Sequence, residues 1–236
     1  MTFSAKRMYA IFEKDLKDLS KNLYVSTTFL LPVVLAFFYR KMDVLTLGSQ
    51  YLIINLVFVS ITFFIQCAVI AEEKEKNTLR GLMLSPASLP EILSGKSLVS
   101  LLLTTITLLL CITVLDYKPA NIALVVLAFF ISSLFYIALG TLVGLLSRTV
   151  IEASVFMLPV MVVFAFGPLM ESVMENYPML RFLNYFPGTQ LMEIASKVQD
   201  GAGFTAVSLH FGWILAWFVG TAILTVFVYR KREMDS

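Results

Sequence analysis

The chain has 236 residues and a formal net charge of +2. Hydrophobic residues make up 58% of it and charged residues 14%, and the mean hydropathy is +0.85, which excludes a water-soluble globular domain. The slight positive balance comes with no basic face outside the apolar runs, which excludes nucleic acid as a partner.

From the N-terminus, residues 1–22 read as a cytoplasmic amphipathic helix. Met8, Phe12, Leu16, Leu19 and Leu23 recur at i+3/i+4, while Lys6, Arg7, Glu13, Lys14, Asp15, Lys17 and Asp18 fill the other faces. This pattern predicts a helix lying on the inner leaflet, as a plain anchor or as part of a docking surface. A bilayer core of about 30 Å takes about 20 apolar residues of helix, and six windows fit: 23–39, 51–71, 97–115, 122–146, 154–170 and 208–229. The first is expected to stay as a span, because polar residues precede it and no small-residue cleavage site follows. Pro32 and Pro159 are expected to kink the first and fifth spans. Cys67 and Cys111 fall within spans and suggest neither a disulfide framework nor a metal site. The lone histidine, His210, opens the last span and reads as structural. Gly140-Thr-Leu-Val-Gly144 in the fourth span is a small-xxx-small pattern that lets helices approach closely, within one chain or between two.

Orientation follows from Lys and Arg. With both termini cytoplasmic, the inner side holds Lys6, Arg7, Lys14, Lys17, Lys21, Lys74, Lys76, Arg80, Lys96, Arg148, Arg230, Lys231 and Arg232. The outer side holds Arg40, Lys41, Lys118, Arg181 and Lys197. That bias predicts both termini inside.

Between the second and third spans lies a polar block, 72–96, that must sit in water. Glu72, Glu73 and Glu75 open it, Thr78 follows, and Leu79, Leu82 and Met83 share one face if that stretch is helical. The glutamates cap the end of the second span and are placed to pair with basic groups on a partner. Such exposed pairs contribute about 0–1 kcal/mol each, so Glu73→Gln is expected to be mild, and the apolar knobs are expected to anchor the contact. Ser88-Leu-Pro-Glu91 resembles a capping box with an early proline and predicts the start of the third helix. The bland alternative is an ordinary charged loop. Gly95-Lys96-Ser97 imitates the end of a phosphate-binding loop. Pro90 occupies the position where the first glycine is needed, and a membrane span follows, so the chain is not expected to hydrolyse a nucleotide.

Residues 171–207 are neither a plain loop nor a clean span. The run Asn176-Tyr-Pro-Met-Leu-Arg-Phe-Leu-Asn-Tyr-Phe-Pro-Gly-Thr189 is aromatic and punctuated by proline, and 191–198 reads as helix. Non-helical backbone at membrane depth needs protein or a water-filled cavity to cover it, so a re-entrant pair of short helices is expected, or else an amphipathic external loop resting on lipid. No carboxylate sits at mid-membrane, where an ion-coupled carrier would need one. No Ser-His-Asp or metal-ligand spacing appears, so neither a catalytic nor a metal site is expected.

These features together resemble the membrane subunits of type-two ABC exporters. The resemblance rests on six spans with both ends inside, an amphipathic helix before the first, and the local run Glu72-Glu73-Lys74-Glu75-Lys76-Asn77-Thr78-Leu79, then Leu82-Met83-Leu84-Ser85-Pro86, continuing to Gly95-Lys96. Asn77 stands where the family commonly has glycine, and Gly81 interrupts the short helix. The resemblance implies an all-α membrane domain and separate ABC ATPase subunits carrying ATP and Mg, with no cofactor on this chain. It also implies a second copy or a homologous permease as partner, and a bacterial plasma membrane. It makes the loop at 72–86, with the N-terminal helix, the ATPase-docking surface, and it places a re-entrant pair before the last span, which is expected to form an external gate at Tyr185, Phe186, Pro187 and Gly188. Cargo is expected to be apolar or amphipathic, such as an antimicrobial peptide, drug or lipid, which would make resistance one role. The rival from another class is a non-transporting immunity or sensor protein that binds a toxic peptide or partner.

Overall fold

The computed structural model describes residues 3–22, 27–76, 87–167 and 177–234, and among these the chain is helical with no strand. In chain order, α1 is Ala5–Lys21, α2 is Leu30–Lys41 and α3 is Leu47–Glu75, with a π-helical stretch at Phe58–Phe63. α4 is Leu89–Val114, α5 is Ile122–Leu146 and α6 is Val150–Ala165, whose last turn Met161–Ala165 is also π-helical. A 3₁₀ stretch at Pro178–Tyr185 leads into α7, Pro187–Gln199, and α8 is Phe204–Met234.

Among the described residues, four helices are long and apolar enough to cross a membrane: Leu47–Glu75, Pro90–Val114, Ile122–Leu146 and Phe204–Tyr229. The expected first span, 23–39, coincides with the shorter α2, and residues 23–26 lie outside the described set. The expected fifth span, 154–170, coincides with the shorter α6, and residues 168–170 lie outside it. Pro159 falls inside α6, and the helix leaves regular α geometry two residues later, as expected where a missing N–H and a ring clash disturb the ladder.

The centre of the bundle is α3. Every residue from Tyr51 through Ala71 is buried, the condition of a helix apolar on all faces. Several of its polar side chains bond across to neighbouring segments. The Tyr51 and Tyr117 hydroxyls bond at 2.8 Å and those of Thr62 and Thr104 at 2.8 Å. Gln66 accepts from Ser100 on α4 at 2.9 Å and donates to Thr141 on α5 at 3.0 Å. At about 0.5–1.5 kcal/mol net for each bond, these set helix register more than they add stability.

The glycine pair of α5 faces α3. A methyl group on Gly140 would sit 2.5 Å from the Phe63 carbonyl oxygen, and one on Gly144 would sit 2.8 Å from that of Cys67. The small-xxx-small stripe therefore packs two helices of one chain.

Candidate functional site

The polar site is assembled at the bundle end where α3 finishes and α4 begins. The last turn of α3 carries Glu72, Glu73, Lys74 and Glu75, so these belong to the span's own helix. Glu73 is turned inward and is only 4% exposed. It pairs with Lys14 of α1 and with Lys96 of α4, the latter at 3.2 Å. Lys96 also holds Asp15 of α1 at 2.9 Å, with both side chains almost fully buried. Burial pushes the Asp15 carboxyl above its ordinary range against the pull of Lys96 and Lys14. Burial works to lower Lys14, but the Glu73 and Asp15 carboxylates outweigh it and hold the ammonium above the usual lysine value.

This cluster corrects the expectation for Glu73. The sequence reading made it an exposed carboxylate whose loss would be mild, whereas it lies in a buried network in which removing one partner is strongly destabilising. The inward stripe of α1 is correspondingly Ile11, Asp15 and Leu19, at i, i+4 and i+8, with a carboxylate at its centre. Amphipathicity alone assigned Asp15 to the polar face.

The neighbouring charges bind helix ends. Lys74 donates to the carbonyl of Leu145 at 2.7 Å and to that of Ser147, satisfying orphan acceptors at the negative end of α5. Glu75 accepts the Val150 N–H at 3.0 Å, placing a carboxylate at the positive end of α6. Glu72 makes an i,i+4 pair with Lys76 at 2.6 Å. At the start of α4, Glu91 accepts the Ser88 N–H at 2.6 Å and a charge-assisted bond from Arg7 of α1 at 2.8 Å, and it also bonds the Ser4 N–H. α1 and α4 approach so closely that a methyl group on Gly95 would lie 2.8 Å from the Met8 carbonyl oxygen.

The segment 77–86 is therefore flanked by two anchored ends. Before it, α3 is tied to α1, α4, α5 and α6; after it, α4 is tied to α1. Thr78, Leu79, Leu82 and Met83 lie outside the described residues. Arg7, Lys14, Asp15, Lys74, Glu91 and Lys96 belong to this site but are not among the docking residues expected from the sequence. The available signal was a lysine two turns inside the start of a membrane helix, next to an i, i+4, i+8 stripe that includes an aspartate.

The second cluster is at the opposite end, where α7 meets α3, α6 and α8. Trp217 donates its indole N–H to the Tyr185 carbonyl at 2.8 Å, and the Tyr185 ring lies 4.8 Å from Trp213. Phe186 stacks on Phe164 at 5.3 Å and meets Trp217 edge-on at 4.8 Å. Pro187 occupies the first turn of α7, and Gly188 beneath it abuts α6, so that any β-carbon would overlap the Phe164 carbonyl oxygen. Fully buried Asn55 of α3 donates to the Gly188 carbonyl at 3.2 Å. His210 bonds Gln190 at 2.8 Å, joining α8 to α7. Among the described residues, no group of three or more His, Cys, Asp or Glu side chains is arranged to hold a metal.

A bundle of long apolar helices, with a buried ionic cluster binding helix termini at one end and an aromatic cluster at the other, defines a multi-pass helical membrane protein. Across residues 15–227 the chain matches the family described as ABC-2 family transporter protein. It belongs to that family, as a membrane-embedded permease component of the kind that is typically non-catalytic and generally works with ABC ATPase partners. No curated protein matches it.

Proposed function

We propose that this chain is the membrane-spanning subunit of an ATP-driven exporter in a bacterial plasma membrane. It works as a pair, two copies or one with a homologous permease, with separate ATPase subunits that carry ATP and Mg. The observation that carries this reading is the anchoring of both ends of 77–86 to α1, α4, α5 and α6. A force-transmitting segment must be joined firmly to the helices it drives, and the described residues on either side of 77–86 are held in that way.

In this reading the chain spans the membrane six times, with α2 and α6 belonging to the first and fifth spans, and both termini are cytoplasmic. Leu79, Leu82 and Met83 insert into a cleft on the ATPase, while Glu72 stays at the rim. The 3₁₀ stretch and α7 form the re-entrant segment and act as the external gate, with Phe186 and Gly188 seated against α6. Exposed apolar faces on α2 (Val34, Phe37) and α6 (Val155, Val162) are available to a second permease or to lipid.

The test is Leu82→Asp. Burying an unpaired charge at an interface costs several kcal/mol, so this variant is expected to reach the membrane in normal amount and to lose ATPase co-purification. Full retention of the ATPase and of transport would remove 77–86 as the docking site. Failure of the wild type to associate with any ATPase would favour the non-transporting immunity or sensor protein.

A further inference from the structure

A groove with a volume of about 550 Å³ lies away from both clusters, between α4 and α5. Its walls run from Leu101 to Ile112 on α4 and from Ile122 to Ser133 on α5, and Phe129 forms part of its floor. Of its three hydroxyls, Thr105 is spent on the Leu101 carbonyl at 2.8 Å and Ser133 on the Phe129 carbonyl at 2.7 Å, while Tyr117 bonds the Tyr51 hydroxyl at 2.8 Å. Between its two ends the wall therefore offers an occupant almost entirely apolar contact.

Two features say what kind of occupant fits. The first is length. Each wall covers eleven helical steps, about 16 Å at 1.5 Å per residue, which equals about half of a 30 Å hydrocarbon core and so the depth of one leaflet. The second is polarity. The groove closes at the α4–α5 turn, where Lys118 stands 81% exposed in a surface ion pair with Asp116 at 3.1 Å, a pair weak enough for a headgroup phosphate to compete for the ammonium. Arg40 reaches the same turn and bonds the Val114 carbonyl at 2.7 Å. An apolar channel one leaflet deep, with cations at its interfacial end, matches an amphiphile with an anionic head.

We propose that this groove is a specific site for one phospholipid of the surrounding bilayer, with an acyl chain lying between α4 and α5 and an anionic headgroup at Lys118. The site is independent of the exporter reading and requires only that the chain spans a membrane. It would brace two helices that diverge along this face, one of which carries Lys96 and Glu91 at its other end.

The experiment is native mass spectrometry of the full-length protein released from nanodiscs of equal phosphatidylglycerol and phosphatidylcholine with identical acyl chains. The wild type should retain one phospholipid per chain and prefer phosphatidylglycerol by about fivefold, the worth of one surface lysine against an anionic headgroup. Lys118→Gln should keep the bound lipid and bring the preference close to one. Val126→Trp, at an exposed wall position, should fill the groove and abolish retention of both lipids, and Thr105→Trp on the facing wall should do the same. A wild type without retained lipid, an unchanged lipid count in both tryptophan variants, or an undiminished preference in Lys118→Gln would each overturn the proposal. A change of oligomeric state in both tryptophan variants would do so too, because it would make the groove an interface between copies.

Discussion

Lys96 is the residue on which the ionic end of the bundle depends, because it is a buried cation that reaches from α4 to carboxylates of two other helices, Asp15 of α1 and Glu73 of α3. Replacing it with methionine keeps the stem and removes the charge, leaving two carboxylates to share a buried site. Breaking such a network costs about 3–5 kcal/mol. Lys17 pairs with Glu13 on the solvent side at 2.6 Å, and its loss is expected to change stability little. Thermal denaturation in detergent should therefore show a large loss for Lys96→Met and for Glu73→Gln, and little change for Lys17→Met. The double variant Asp15→Asn/Lys96→Met should recover part of the Lys96→Met loss. Equal small shifts in all four would mean that the cluster is solvated and contributes nothing to holding α1 in place.

At the scale of elements, helix contacts depend on backbone-to-backbone approach at a few glycines. Gly140 lets α5 lie on the carbonyl face of α3. Gly140→Leu forces the helices apart or strains the side chain, an overpacking cost of about 1–3 kcal/mol, and should lower the yield of folded protein. Gly188 does the same for α7 on α6, but its partner elements end nearby, so the strain can be relieved by moving α7. For Pro187→Ala with Gly188→Ala, the expected outcome is normal membrane insertion and ATPase association, with transport per ATP hydrolysed reduced. Unchanged transport in that double variant would show that α7 is only a surface element. The two π-helical stretches, in α3 and α6, border this contact. Such insertions are frequent at functional sites, and here they change helix phase just where Asn55 and Phe164 must meet the first turn of α7.

For the whole molecule, the central issue is sidedness. α3 ends at the ionic cluster and α4 begins there, whereas the turn after α4 carries Lys118 at the far end of the bundle. The excess of Lys and Arg around the ionic end predicts that it is cytoplasmic. Cysteines placed singly at Lys76 and Lys118 should then differ: an impermeant thiol reagent added to intact cells should label the second and spare the first. Labelling of both from outside would contradict the arrangement. The native Cys67 and Cys111 are fully buried, so they should contribute little background.

What the sequence by itself determined was the solvent and the sites of the long helices. Apolar length and the absence of charge act locally, so α3, α4, α5 and α8 are readable from windows of about 20 residues, as are the Ser88–Glu91 start of α4 and the helical stretch at 191–198. The Lys/Arg asymmetry and the loop motif likewise carried the family, because both are linear features. Only the tertiary structure decided which side of each element faces its neighbours. A period of 3.6 told that α1 had two faces but could not tell that Asp15 faced inward, because that depends on Lys96, which is 81 residues away in the chain. Nor could spacing tell that Gly140 and Gly144 meet α3, that Glu73 is paired inside its own chain, or that Asn55 holds the turn at Gly188. A buried charge or amide is stable only when its partner arrives from another helix. The identity of that partner is a property of how the helices pack, and no single segment contains it.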